Sequence, residues 1–112
     1  MRSGRIRLED ISEAIAGIEQ TLTGVDLAAF SQSWLMQRAV ERGLEIVSEA
    51  SRSIPDELKA EFPSVPWHQI AGIGNILRHE YHRVEPSIIW NITETHLPLL
   101  SRVIQQMLLR PE

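Results

Sequence analysis

The chain has 112 residues, of which 43% are hydrophobic and 23% charged, with a formal net charge of -4 and no cysteine. That length suits one core rather than two, and the balance is that of a folded domain, which sets aside disordered and fibrous classes. The acidic balance excludes a broadly basic nucleic-acid-coating surface while leaving room for a local basic site, and the missing cysteines exclude disulfides, thiolate nucleophiles and cysteine-ligated metal sites.

No apolar run approaches the roughly 18 residues needed to span a bilayer, and the opening MRSGRIRLED lacks a signal-peptide core. The expectation is a single domain over residues 1–112, cytoplasmic and without membrane contact. Leu8, Ile11, Ile15, Ile18 and Leu22 alternate spacings of three and four, which predicts a first helix from about Arg7 to Thr23 with one apolar stripe. Gly24 stops it, and Asp26 is placed to cap a short turn through Leu27 and Phe30. A second long helix begins near Ser31, with Trp34, Leu35, Met36, Ala39, Val40, Leu44, Ile46, Val47 and Ala50 as its apolar face.

The segment IPDELKAEFPSVP, with three prolines around a short helical run at 56–61, reads as a connector. Pro66 suits the first turn of a third helix with Trp67, Ile70, Ile73 and Leu77 buried. Pro86 opens a fourth, and Pro98 either kinks it or starts a separate final helix carrying Leu100, Val103, Ile104, Met107 and Leu108. Nothing alternates with a two-residue period, so the fold expected is all-α, an antiparallel up-and-down bundle of four to five helices. Trp34, Trp67 and Trp90 read as core or interface anchors. Arg38 and Glu49 read as partners in ion pairs or buried polar contacts, with any further role open.

The chemistry-bearing residues concentrate in GIGNILRHEYH, residues 72–82. On a helix, Gly72, Asn75, His79 and His82 share one small, polar stripe. Interior glycines cost about 0.8–1 kcal/mol each relative to alanine, so Gly72 and Gly74 suggest that another backbone approaches closely. On the residues alone an ordinary helix end, with histidines near its C-terminal dipole, explains the pattern as well. The string HEYH is not the HExxH zinc pattern, no serine sits in a nucleophile elbow, and the glycines form no phosphate-binding loop; no metal and no cofactor is expected.

Taken in order, Leu8-Glu9-Asp10-Ile11, Gln37-Arg38-Ala39-Val40, Ser48-Glu49-Ala50 and the Phe62-Pro63 to Trp67 connection resemble the small HepT-like subunits of the HEPN superfamily. Ile70, Gly72, Asn75, Leu77, His79, Tyr81, Val84, Trp90 and Leu97-Pro98 continue the likeness along nearly the whole chain. These subunits are the toxin halves of toxin–antitoxin pairs with a nucleotidyltransferase partner. The resemblance implies a helical HEPN bundle, a homodimer whose polar motifs meet in one cleft, and metal-independent cleavage of RNA.

The family motif runs arginine, a polar residue, three variable residues, histidine, one residue, tyrosine. Asn75, His79 and Tyr81 match it, whereas Gly74 stands at the arginine position. The resemblance makes His79 the proton-transfer residue, with Asn75 in support, and Tyr81 the acceptor of AMP from the nucleotidyltransferase antitoxin, which neutralises the toxin. Arg78, one turn beyond Gly74, is one candidate to supply the missing guanidinium, with Arg83 or an arginine of the second subunit as the others. The departure at Gly74 keeps an alternative open: a catalytically degenerate HEPN subunit that serves as a binding partner of a nucleotidyltransferase.

Overall fold

In the computed structural model, which describes residues 2–79 and 85–111, Leu8, Ile11, Ile15 and Ile18 are all buried along one side of α1, Arg2–Leu22. This helix starts five residues before the apolar stripe predicts. Arg5 accounts for part of the extension: it pairs with Glu9 one turn on at 3.7 Å, and its Nη1 donates to the Leu108 carbonyl at 3.0 Å. A tie to the far end of the chain leaves no trace in local periodicity. Gly24, at φ 73°, ends the helix in the left-handed region where a side chain would be strained.

Asp26 caps α2, Leu27–Ser31, by accepting from the Ala29 N–H at 2.8 Å. This single turn buries Phe30, whose ring meets Trp90 at 5.5 Å. Ser33 then caps α3, Trp34–Ser51, accepting from the Met36 N–H, so the helix begins three residues after the expected start. Val40, Leu44, Val47 and Ala50 are buried. The expected apolar face is nonetheless too broad: Trp34 is 69% exposed and Leu35 71%, whereas Met36 in the same turn packs against the core.

The connector contains α4, Asp56–Ala60, and is pinned by Trp67, whose indole N–H donates to the Lys59 and Phe62 carbonyls. The third long helix, α5, is Trp67–His79, and the Pro66 carbonyl already accepts the Ile70 N–H at 3.0 Å. The last, α6, is Pro86–Leu108 with Pro86 in its first turn. Pro98 neither breaks it nor begins a new helix. Pro98 and Glu94, whose carbonyl loses its N–H partner, are both exposed, while Leu97 and Leu100 hold the inner side in the core.

Helix α3 lies between α1 and α5, and α6 packs across α1. Neighbouring long helices run antiparallel: Gln105 of α6 reaches Ser12 of α1, and Ser48 of α3 reaches Ala71 and Gly74 of α5. The closest approach of α1 and α3 falls at Gly43, where a β-carbon would stand 2.7 Å from Ile18 Cγ1. The result is an all-α up-and-down bundle with no strand among the described residues. No helix of those residues is long and apolar enough to cross a membrane.

Candidate nucleic-acid-cleavage site at the end of α5

Burial of Ile70, Ile73 and Leu77 orients α5, and a polar clasp from α3 fixes it in place. The buried Ser48 hydroxyl donates to the Ala71 carbonyl at 2.8 Å and accepts from the Gly74 N–H at 2.9 Å. Arg52 adds a second donor to Ala71 at 3.0 Å, and Ser51 donates to the Ser48 carbonyl at 2.7 Å. Satisfied hydrogen bonds between two helices fix register as well as distance, so the outward residues of α5 sit on a rigid support. Sequence reasoning named the Ser48-Glu49-Ala50 stretch without finding this role; a serine on the inner side of an amphipathic helix was the available signal.

Asn75 and Arg78 emerge from α5 into solvent, and His79 is its final residue. Gly74 is buried between Ser48 and the Arg78 guanidinium. A β-carbon at residue 74 would stand 3.1 Å from Arg78 Nη1, 3.2 Å from Ser48 Oγ and 3.5 Å from Ser48 Cβ. The close approach of another backbone expected at both glycines occurs at neither: Gly74 is crowded by the Ser48 and Arg78 side chains, and Gly72 has open space where a side chain would be. Of the predicted stripe, Gly72 and Asn75 lie on the described surface. The side chain of His79, and all of Tyr81 and His82, fall outside the described residues.

Beside Arg78 an open cavity of about 560 Å³ is lined by Arg38, Glu41, Arg42, Glu45, Leu77 and Arg78. Arg38 is held by Glu41 at 2.6 Å and lies over the Trp34 ring, 5.7 Å from its centroid. Arg42 pairs with Glu45 at 3.6 Å. Arg38 thus takes the ion-pair role expected of it; Glu49 is exposed and has no such pair among the described residues. Guanidinium groups can hold a phosphodiester through charge-assisted hydrogen bonds.

Comparison with known proteins decides the family. The ribonuclease HepT-like family model matches residues 11–107, from the middle of α1 to the last turn of α6. The chain belongs to the ribonuclease HepT-like family. A Thermococcus cleftensis protein named as a probable ribonuclease HepT is 34% identical over 106 residues, covering 95% of this chain and 96% of that one. Two proteins named as candidate RNases are each 32% identical. One is from Methanocaldococcus jannaschii, covering 88% of this chain and 90% of its own; the other is from Caldanaerobacter subterraneus, covering 96% of both. No solved structure matches the chain significantly.

Proposed function

We propose that this HepT-like chain is the toxin subunit of a toxin–antitoxin pair, a homodimeric, metal-independent RNA endonuclease whose cleft forms where two copies meet. The observation that carries the reading is helix α5, clasped to α3 at Ala71 and Gly74, which presents Asn75 and Arg78 to solvent in the last turns before His79. In the reaction His79 takes the proton of a ribose 2′-hydroxyl, and that oxygen bonds the adjacent phosphorus. The bond from phosphorus to the 5′-oxygen breaks, and the 5′-oxygen leaves with a proton returned by the histidine. The products are a 2′,3′-cyclic phosphate and a 5′-hydroxyl. Asn75 orients the phosphate or the ribose.

Exposed apolar side chains favour a second copy at this end of the bundle. Trp34 and Leu35 open α3, Ile76 lies on the last turns of α5, and Ile88 on the first of α6, all at the end where α5 finishes. Neutralisation falls to Tyr81. The nucleotidyltransferase antitoxin transfers AMP to its phenolic oxygen, displacing pyrophosphate from a nucleoside triphosphate, and the added phosphate repels RNA from the cleft.

Gly74 favours a second reading, a degenerate subunit without nuclease activity that binds or presents itself to the nucleotidyltransferase. Growth arrest on expression, relieved by His79→Ala, supports the toxin. Harmless expression together with capture of the nucleotidyltransferase supports the degenerate subunit. A neighbouring nucleotidyltransferase gene fits both.

A further inference from the structure

Arg78 is exposed, yet its guanidinium does not run out into solvent along the helix. It folds back by one turn, bringing Nη1 within 3.1 Å of the point where a β-carbon on residue 74 would stand. Any side chain at 74 would begin in the volume this guanidinium borders. The other side of that position is closed by Ser48, whose hydroxyl also holds the Gly74 N–H. A β-carbon at 74 would therefore require the Arg78 guanidinium and the Ser48 hydroxyl each to give by a few tenths of an ångström.

The surroundings of the guanidinium point the same way. Of the three arginines lining the neighbouring 560 Å³ cavity, Arg38 is engaged by Glu41 and Arg42 by Glu45. Among the described residues no carboxylate pairs with Arg78. Arg78 precedes His79 by one residue, and its guanidinium lies against α5 at Gly74 beside the open cavity, in a chain whose net charge is -4.

We propose that Arg78 is the phosphate-binding arginine of this site, displaced by one helical turn from the motif position, and that glycine at 74 is the condition for it. The inference rests on the ribonuclease reading and deepens it: the two residues form a matched pair, and the missing motif arginine is a relocation. Arg78 contacts a non-bridging oxygen of the scissile phosphate of single-stranded RNA and offsets the charge that grows there as the 2′-oxygen attacks.

The test is single-turnover cleavage of an unstructured RNA oligonucleotide in EDTA, with binding of its uncleavable 2′-O-methyl analogue followed by fluorescence anisotropy. The proteins are wild type, His79→Ala, Arg78→Ala, Arg78→Lys, Gly74→Ala and the double variant Gly74→Arg/Arg78→Ala, each checked by circular dichroism. Wild type is expected to cleave and His79→Ala to bind without cleaving. Arg78→Ala should lose about 100-fold in rate, with lysine restoring little of it because an ammonium lacks the planar fork. Gly74→Ala, whose methyl displaces the guanidinium while favouring the helix, should slow cleavage by about tenfold. The double variant should recover at least about tenfold over Arg78→Ala.

If wild type cleaves, His79→Ala does not, and Arg78→Ala stays within about threefold of wild type, the relocation is wrong while the ribonuclease reading stands. An inert wild type overturns both. Because Arg78 is exposed, its variants fold as the wild type does and the rates can be compared directly.

Discussion

Gly17 and Gly43 are both interior helical glycines, yet one faces open space and the other faces Ile18. Alanine at 17 gains helix propensity with nothing to displace, so Gly17→Ala should stabilise the fold by about 0.5–1 kcal/mol. At 43 the same methyl would overlap the buried Ile18 side chain, 2.7 Å from Cγ1 and 2.8 Å from Cδ1. Overpacking of this kind costs about 1–3 kcal/mol, which outweighs the propensity gain, so Gly43→Ala should destabilise. Urea titration of the two variants would read opposite signs, and a stabilised Gly43→Ala would contradict the close contact. His96 gives a pH dependence at the same scale. Burial holds its pKa below the ordinary 6.5, so as pH falls through 6.5 the unfolded chain gains a proton that the folded chain resists. Stability from this group is therefore complete above about pH 6.5 and lost on acidification. His96→Gln should flatten the fall in Tm between about pH 7.5 and pH 5.5; an unchanged slope would assign that fall to other groups.

Helices were legible from periodicity and punctuation to the extent that their causes are local. The stripe from Leu8 to Ile18, the Asp26 cap and the proline starts at Pro66 and Pro86 each act within a few residues, and the structure bears each one out. The early start of α1 depends on Arg5 reaching Leu108, and the seat of α5 depends on Ser48 reaching Ala71 and Gly74. Such ties join positions far apart in the chain, so no local window contains them. The same limit applied to the glycines: composition marked Gly72 and Gly74 alike, and only the packing of α3 on α5 separates them. Ser48→Ala tests the clasp between elements. It removes a buried hydroxyl that both donates and accepts, and should cost about 1–3 kcal/mol in stability. If α5 is held mainly by this clasp, amide exchange from Ala71 to Leu77 should accelerate while α1 and α6 keep their protection.

Among the described residues Trp34, Leu35, Ile76 and Ile88 are exposed apolar side chains at the end where α5 finishes, and Ile6 and Leu109 are exposed away from it. Helical spacing marked Trp34 and Leu35 as apolar but could not say whether they face this chain's own core or a second copy. Their exposure in the single chain makes them the natural test of pairing. The double variant Trp34→Ser/Leu35→Ser should be monomeric by light scattering at micromolar concentration, with a helical spectrum close to that of the wild type. A wild type that is itself monomeric there would remove the basis for a shared cleft. Asn75, His79 and Tyr81 are site candidates through their resemblance to the HepT-like motif, and Tyr81 falls outside the described residues. The position of the Arg78 guanidinium over Gly74 depends on side-chain packing and needed coordinates.

The central claim is that the end of α5 cleaves RNA without a metal. Its most direct test is incubation of the purified chain with RNA in EDTA, wild type beside His79→Ala, followed by end-group analysis of the products. The account predicts fragments ending in 2′,3′-cyclic phosphate from the wild type and none from His79→Ala. Intact RNA with both proteins, or equal cleavage by both, would contradict it.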